Sequence, residues 1–355
     1  MEKKSMSDIL NPGTILWSRY RILDLVGQGG MGAIYQAEDL RLAGRLCAIK
    51  EVIPDASFSK AYQEQSQAAF HQEASILARL DHANLPKVSD FFLFNGRNYL
   101  VMDFVPGQDL REIVENAKHK NTFTPEAQVL TWAEQLLSAL EYLHQQQPPV
   151  LHRDIKPSNI KVTPNGTIKL VDFGLVKVLQ PDDNRTITVL QGRATIQYAP
   201  LEQIGGDTGH TDTRSDIYSL GATLYHLLTN KPPPDAKTRY LQPRQFGQLD
   251  IRKINPDVSP QTEYAVLHAL GLHPAERPDT IRQLKEELLA NAPIIINGQT
   301  KNGWRFAFWR NRVLLALITA LLTLAIILTF TPGNTSSPNG VEPTPDSNPV
   351  SEMNR

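Results

Sequence analysis

His152-Arg153-Asp154-Ile155-Lys156-Pro157-Ser158-Asn159 is answered thirteen positions later by Asp172-Phe173-Gly174. Apolar β-type residues bound both segments: Val150 and Leu151 precede the first, and Ile168 to Val171 precede the second. That context predicts loops held by strands and open to a cleft. Asp154 can accept the proton of an attacking hydroxyl, and Lys156 can neutralise an anionic oxygen beside it. Asn159 and Asp172 offer the hard oxygen ligands that Mg²⁺ prefers. A base, a cation and two metal ligands facing one point suit phosphoryl transfer. An isolated Asp-Phe-Gly carries little weight, because core packing explains most such triplets. The eight-residue stretch with its follower is specific.

Upstream, Tyr20 to Val26 predicts a strand that runs into Gly27-Gln28-Gly29-Gly30-Met31-Gly32. Alone, this glycine pattern is weak, and a plain glycine-rich hairpin explains it about as well. A dinucleotide fold needs a helix to start here. Ile34 and Tyr35 favour a second strand instead, which makes the glycines a hairpin tip. Lacking Cβ atoms, such a tip can lie over phosphates and donate backbone N–H groups. Leu46 to Lys50 predicts a third strand ending in a cation, and Gln65 to Leu80 predicts a helix carrying Glu73. Two more strands are expected around Val88–Phe94 and Asn98–Met102. Pro106-Gly107 then marks a hinge. Asp109 is expected to cap the helix that starts at Leu110. Beyond it the spacing is helical over Pro125–Gln147, Asp212–Thr229 and Thr280–Ala290, whereas Lys231–Pro256 is rich in Pro and Gln and shows no legible function.

The string around Asp154 and the Asp172 loop resemble the catalytic and metal-binding loops of bacterial eukaryotic-like (Hanks-type) serine/threonine protein kinases. The resemblance runs from about Arg19 to Leu289 and rests on at least five motifs in order. It implies an α+β, bilobal protein-kinase-like fold: a small antiparallel β lobe with one helix (19–104) and a larger helical lobe (107–289). It implies ATP and Mg²⁺, with Mg²⁺ on Asn159 and Asp172, and protein substrates bearing Ser or Thr. Nucleotide contacts are implied at Gly27, Gln28, Gly29, Gly30, Met31, Gly32, Ile34, Ala48 and Lys50. Met102 becomes the gatekeeper, and the backbones of Asp103 and Val105 bond the adenine edge. Glu73 holds Lys50 on the α- and β-phosphates, while Asp154 and Lys156 act at the hydroxyl. Asp216 anchors the catalytic loop, and Glu202 pairs with Arg277.

Between Asp172 and Glu202 the resemblance implies an activation segment. Phosphorylation of Thr186 or Thr188 can order it through Arg153, and the Thr195 hydroxyl is implied to bond Asp154 and Lys156. Two positions depart from the family pattern: Ala194 stands before Thr195, and Pro200-Leu201-Glu202 replaces Ala-Pro-Glu. A competing register, with Ala199-Pro200 as the first two letters, puts Leu201 at the glutamate position. Two alternative classes remain. A pseudokinase scaffold typically loses a residue equivalent to Lys50, Asp154 or Asp172, and none is lost. A small-molecule phosphotransferase of related fold has no need of the activation segment or of the Asp216/Arg277 framework.

Composition narrows the field further. The 355 residues carry 36 Lys+Arg against 37 Asp+Glu, a net charge of −1, so no basic excess points to nucleic acid. The single cysteine, Cys47, excludes an internal disulfide, fits a reducing cytosol and suits a buried strand position. Residues 1–18 are polar at their start and lack the apolar core of a secretory signal. Val313–Phe330 is eighteen residues without a charge or helix breaker. As a helix it spans about 27 Å, close to the hydrocarbon thickness of a bilayer. The segment 290–312 before it is basic and aromatic, with Lys301, Arg305, Arg310 and Arg312 close to the apolar run. This predicts a single-pass helix in the cell membrane with the kinase-like domain cytoplasmic. The Pro/Asn/Ser-rich tail, 331–355, is expected to be disordered and too short for a sensor domain. The helix also offers a route to a homodimer, although it has no Gly-x-x-x-Gly motif.

Overall fold

A computed structural model describes residues 9–29, 32–52, 60–172, 196–204, 211–247 and 249–289. Period-two alternation builds its first half. In β3 (Gly32–Asp39) every second residue is buried, and β4 (Leu46–Val52) follows the same rhythm. With β1 (Ile15–Leu16), β2 (Tyr20–Gly29), β5 (Val88–Phe94) and β6 (Arg97–Asp103) they form one antiparallel sheet, ordered β1-β2-β3-β4-β6-β5. The helix α1 (Lys60–Leu77) sits between β4 and β5 in sequence.

The two faces of this sheet have different fates. On the front, Val52, Leu100 and Met102 join Phe70, Ala74 and Leu77 of α1, and this core continues into the helical lobe. On the rear, Leu16, Tyr20, Ile22, Tyr35, Ile49, Phe92, Tyr99 and Val101 form a separate cluster. Cys47 lies within it, fully buried, and burial pushes its thiol up to about 11. That is a packing cysteine.

Past the hinge, β7 (Gln108–Asp109), β8 (Ile160–Val162) and β9 (Ile168–Leu170) make a small antiparallel sheet. Helices surround it: α2 (Leu110–His119), α3 (Glu126–His144), α4 (Leu201–Ile204), α5 (Thr213–Thr229), α6 (Ala236–Leu241), α7 (Pro243–Phe246), α8 (Ile251–Ile254), α9 (Pro260–Ala269) and α10 (Ile281–Leu289). Asp109 caps α2 in a reciprocal pair: its Oδ1 accepts from Glu112 N at 2.9 Å, and its own N–H reaches Glu112 Oε2 at 3.0 Å. The long helices fall within a few residues of their predicted spans. One expectation changes, and one unread stretch gains structure. Val150 and Leu151 are not in a strand; the regular structure beside the first loop is β8, which follows it. Lys231–Pro256 hides three short helices, two of them capped by Asp235 and Asp250.

Gly30, Met31, Phe173, Gly174, Thr186, Thr188, Ala194, Thr195 and everything from 290 onward, including Val313–Phe330, lie outside the described residues. Among the described residues no helix is long and apolar enough to cross a membrane.

Candidate active site

The catalytic stretch has no regular structure before Pro157, so something else must hold it. That support is Asp216, buried at the start of α5. Its Oδ2 accepts from His152 N at 2.9 Å and its Oδ1 from Arg153 N at 2.8 Å. His144, the last residue of α3, reaches the same carboxylate at 2.9 Å. Burial alone would raise the Asp216 pKa; the bonds from His144 and the backbone outweigh it and hold the group below the usual carboxylate range. About two turns further along α5, Thr223 Oγ1 donates to Ile155 O at 3.5 Å. The helix is thus a rod against which the loop is fixed. Arg153 adopts φ 63°, a left-handed conformation for a bulky residue, within this restraint.

So held, the loop brings three of its side chains together. Asp154 Oδ2 accepts from Lys156 Nζ at 2.9 Å and from Asn159 Nδ2 at 3.0 Å. Asn159 Nδ2 also donates to Asp154 O at 2.8 Å, and its Oδ1 accepts a long bond from Ser158 Oγ at 3.4 Å. The main chain of Val171 donates to Asn159 O at 2.8 Å, and this sets Asp172 beside Asn159. Asp172 takes φ 64°, again left-handed. Asn159, just before β8, and Asp172, just after β9, are thus linked through this backbone bond and supply two oxygen donors. They suit Mg²⁺, which takes one or two protein ligands and completes its shell with water and phosphate oxygens. Among the described residues no cluster of three His, Cys, Asp or Glu side chains offers a fuller cage.

Strand register delivers the opposite wall. Ile34 pairs with Lys50, Lys50 with Leu100, and Ala48 with Met102. Ile34, Ala48, Lys50 and Met102 therefore share the front face. Gly29 pairs with Gly32 at the tip of the β2–β3 hairpin. A Cβ on Gly27 or Gly29 would meet no atom within 4 Å, whereas one on Gly32 would come to 1.8 Å from Glu51 O. Only Gly32 is demanded by packing. The other two leave open space where a polyphosphate would pass.

Lys50 forms an ion pair with Asp172. Of the expected Glu73–Lys50 pair, one oxygen is without a hydrogen bond: Glu73 Oε2 is buried and unbonded. Burial pushes Glu73 up to about 7, against the pull of Arg153 and Lys50. The Lys50 ammonium meets Asp172 across the site. Glu73, Lys50, Asp172 and Arg153 nonetheless occupy one electrostatic neighbourhood.

At the hinge, Asp103 N donates to Lys87 O at 3.0 Å, so of its backbone groups only the carbonyl is left for a purine edge. Val105 is nearly buried. Gly107 closes the hinge at φ +116°, where a Cβ would come to 2.0 Å from Val162 O. Glycine is required there on both counts. Sequence reasoning missed the anchor of the Asp81–Leu85 turn. Asn84 Nδ2 donates to Gln135 Oε1 and to Ile168 O, both at 2.9 Å, and His82 Nε2 meets Ser138 Oγ at 3.2 Å. These contacts tie the end of α1 to α3, and nothing local in sequence announces them.

Glu202 meets Arg277, with Nη1 to Oε1 at 2.7 Å and Nη2 to Oε2 at 3.1 Å. This supports the register that places Glu202, not Leu201, at the glutamate position.

A hinged pair of lobes with base, lysines and metal ligands in the cleft between them is the architecture of a kinase. Residues 20–294 match the protein kinase domain, and the chain belongs to that family. Over 293 residues it is 31% identical to the probable serine/threonine-protein kinase PknB of Lactococcus lactis, a match taking in 81% of this chain and 44% of that protein. Over 280 residues it is 32% identical to the serine/threonine-protein kinase PrkC of Bacillus subtilis, covering 78% and 41% respectively. The chain thus spans less than half the length of these relatives. A solved structure described as PpkA-294 in its apo form superposes with a TM-score of 0.64 at 30% identity, covering 79% of this chain and 99% of that one.

Proposed function

We propose that this chain transfers the terminal phosphoryl group of ATP to serine and threonine hydroxyls of proteins, itself included. The observation that carries the proposal is the Asp154 carboxylate, gripped by Lys156 and Asn159 and standing next to the Lys50–Asp172 pair. Asp154 orients the hydroxyl and receives its proton as the bond to phosphorus forms. Lys156 offsets charge on the oxygens passing between donor and acceptor. Lys50, on its rigid strand, steadies the non-transferred phosphates, and the Gly27–Gly29 tip covers them. Asn159 and Asp172 would hold Mg²⁺, which would supply positive charge to offset that of the phosphates. Preference for Ser and Thr follows from Lys156 two places after the base and from the names of both relatives.

Incubation of the full-length chain with labelled ATP, Mg²⁺ and a mixed protein pool, followed by phosphosite mapping, tests this. Phosphoserine and phosphothreonine are expected on the pool, with Thr186 or Thr188 labelled on the chain itself. Arg153 would receive that new charge. Label confined to tyrosine, or none transferred, would sink the proposal.

The same reading extends to location. Val313–Phe330 would anchor the chain in the cell membrane as a single helix, keeping the kinase domain in the cytosol where ATP is. The Lys and Arg residues just before the run favour that orientation. The helix would bring the kinase to a lipid surface and allow two copies to meet there. After lysis without detergent, the chain should sediment with membranes and dissolve only when detergent is added. A freely soluble chain would refute the anchor.

A further inference from the structure

Strand alternation sends the residue after Lys50 to the opposite side of the sheet. That residue is Glu51, a carboxylate 2% exposed that phosphate chemistry does not use. It is fully engaged from behind. Glu51 Oε1 accepts from Arg97 Nη1 at 2.8 Å and from Tyr99 Oη at 3.0 Å, and Oε2 accepts from Tyr35 Oη at 3.2 Å. The Tyr35 oxygen in turn accepts the backbone N–H of Leu10 at 3.2 Å. A relay therefore runs from Leu10 N–H through Tyr35 to Glu51. Ile9 and Leu10 lie against the rear cluster that contains Tyr35, Ile49 and Tyr99. Gly13 N then donates to Ile22 O at 2.8 Å, continuing this segment along β2.

Each rear residue is the chain neighbour of a residue facing the cleft. Tyr35 follows Ile34, Glu51 follows Lys50, and Tyr99 precedes Leu100. Across the strands, Ile34 pairs with Lys50 and Glu51 with Tyr99. The Glu51 backbone also supports the glycine hairpin, because its carbonyl fills the space a Cβ on Gly32 would need. A buried ion pair is a poor means of gaining stability, since apolar residues of similar volume do as well. Its directional bonds do something apolar packing cannot. They fix the rotation of β4 about its own axis, and with it the aim of Lys50.

We propose that Glu51 and Tyr35 are positioning residues for the nucleotide site, and that the segment Ile9–Pro12 is a strap that completes them. The chain ahead of the small lobe then tunes affinity for ATP from the far side of the sheet. This rests on the reading of the front cleft as an ATP site.

The test uses the full-length chain, Tyr35→Phe, a variant lacking residues 1–12, and their combination. KM for ATP should rise roughly three- to tenfold in each single variant, the size expected for one lost hydrogen bond, with a smaller change in kcat. The combination should be no worse than either, because both cut the same link. Leu16→Val, in the same rear cluster but outside the relay, should lower Tm without raising KM. Unchanged KM in Tyr35→Phe, additive effects, or an equal rise in Leu16→Val would overturn the proposal. Amide exchange without nucleotide separates this from the ATP reading. Tyr35→Phe should speed exchange at Lys50–Val52, and unchanged exchange refutes the strap. A wild-type chain that binds no ATP refutes the cleft reading instead.

Discussion

Asp154→Asn is expected to reduce phosphoryl transfer by about 10²- to 10⁴-fold, the range lost when a positioned acid–base group is removed. Nucleotide affinity should stay within about twofold, because Lys50, Asp172 and the glycine tip lie outside the substitution. The loop should also keep its shape. Its position is set by Asp216 through the backbone of His152 and Arg153, and Asn159 Nδ2 still has Asp154 O as acceptor. An asparagine of the same size retains an oxygen for Lys156 but cannot take a proton. Single-turnover transfer from labelled ATP and equilibrium nucleotide binding, measured on the same preparation, separate the two steps. Undiminished transfer would mean that the reacting hydroxyl is oriented by another group, and the catalytic assignment of Asp154 would fail.

What the sequence disclosed depended on distance along the chain. Asp154, Lys156 and Asn159 are neighbours, so their chemistry could be read before their geometry was known. Helix spans were legible because apolar spacing repeats over many residues; α5 begins one residue after Asp212, its cap. Lys50 illustrates the limit. It pairs with Asp172, far away in sequence, and the burial that raises the Glu73 pKa beside it is a property of the assembled lobe. The same holds for Glu51, which in sequence is one more acidic residue on a strand. Asn84, His82 and His144 tie elements together across long loops, and no local pattern marks them. Lys231–Pro256 is a different failure. Asp235 and Asp250 cap short helices there and Pro243 is a first helical residue, but the prolines obscure the apolar spacing. Val150 and Leu151 look like a strand by composition. They follow Pro148 and Pro149, which offer no N–H groups for a sheet ladder.

Arg277→Met should cost the helical lobe about 3–5 kcal/mol, the range for breaking a buried ion pair from one side. The Arg277 side chain is wholly buried. Besides its two bonds to Glu202, it donates to Gly271 O at 2.8 Å, Leu272 O at 2.9 Å and Arg214 O at 3.0 Å. Methionine fills the volume but leaves those carbonyls and one carboxylate without their donor. The dependence on pH identifies the cause. In the wild type, burial alone would raise the Glu202 pKa, but the Arg277 bonds outweigh it and hold it below its ordinary value of 4.5. Its stabilising contribution is therefore present above about pH 4.5 and lost as pH falls through the depressed pKa. Without Arg277, burial is opposed only by the Ser215 hydroxyl and a backbone hydrogen bond, and the Glu202 pKa is expected to rise above its value in the unfolded chain. The variant then folds best with the acid neutral and loses stability as pH rises through that raised value. The deficit relative to wild type should accordingly be larger at pH 8 than at pH 5. Arg277→Lys should recover only part of it, since an ammonium restores the charge but not the fork of five donors. Urea unfolding of the three proteins at both pH values measures this. A deficit below about 1 kcal/mol, or one larger at pH 5, would show that Glu202–Arg277 is not the tie that holds the end of the activation segment to the helical core.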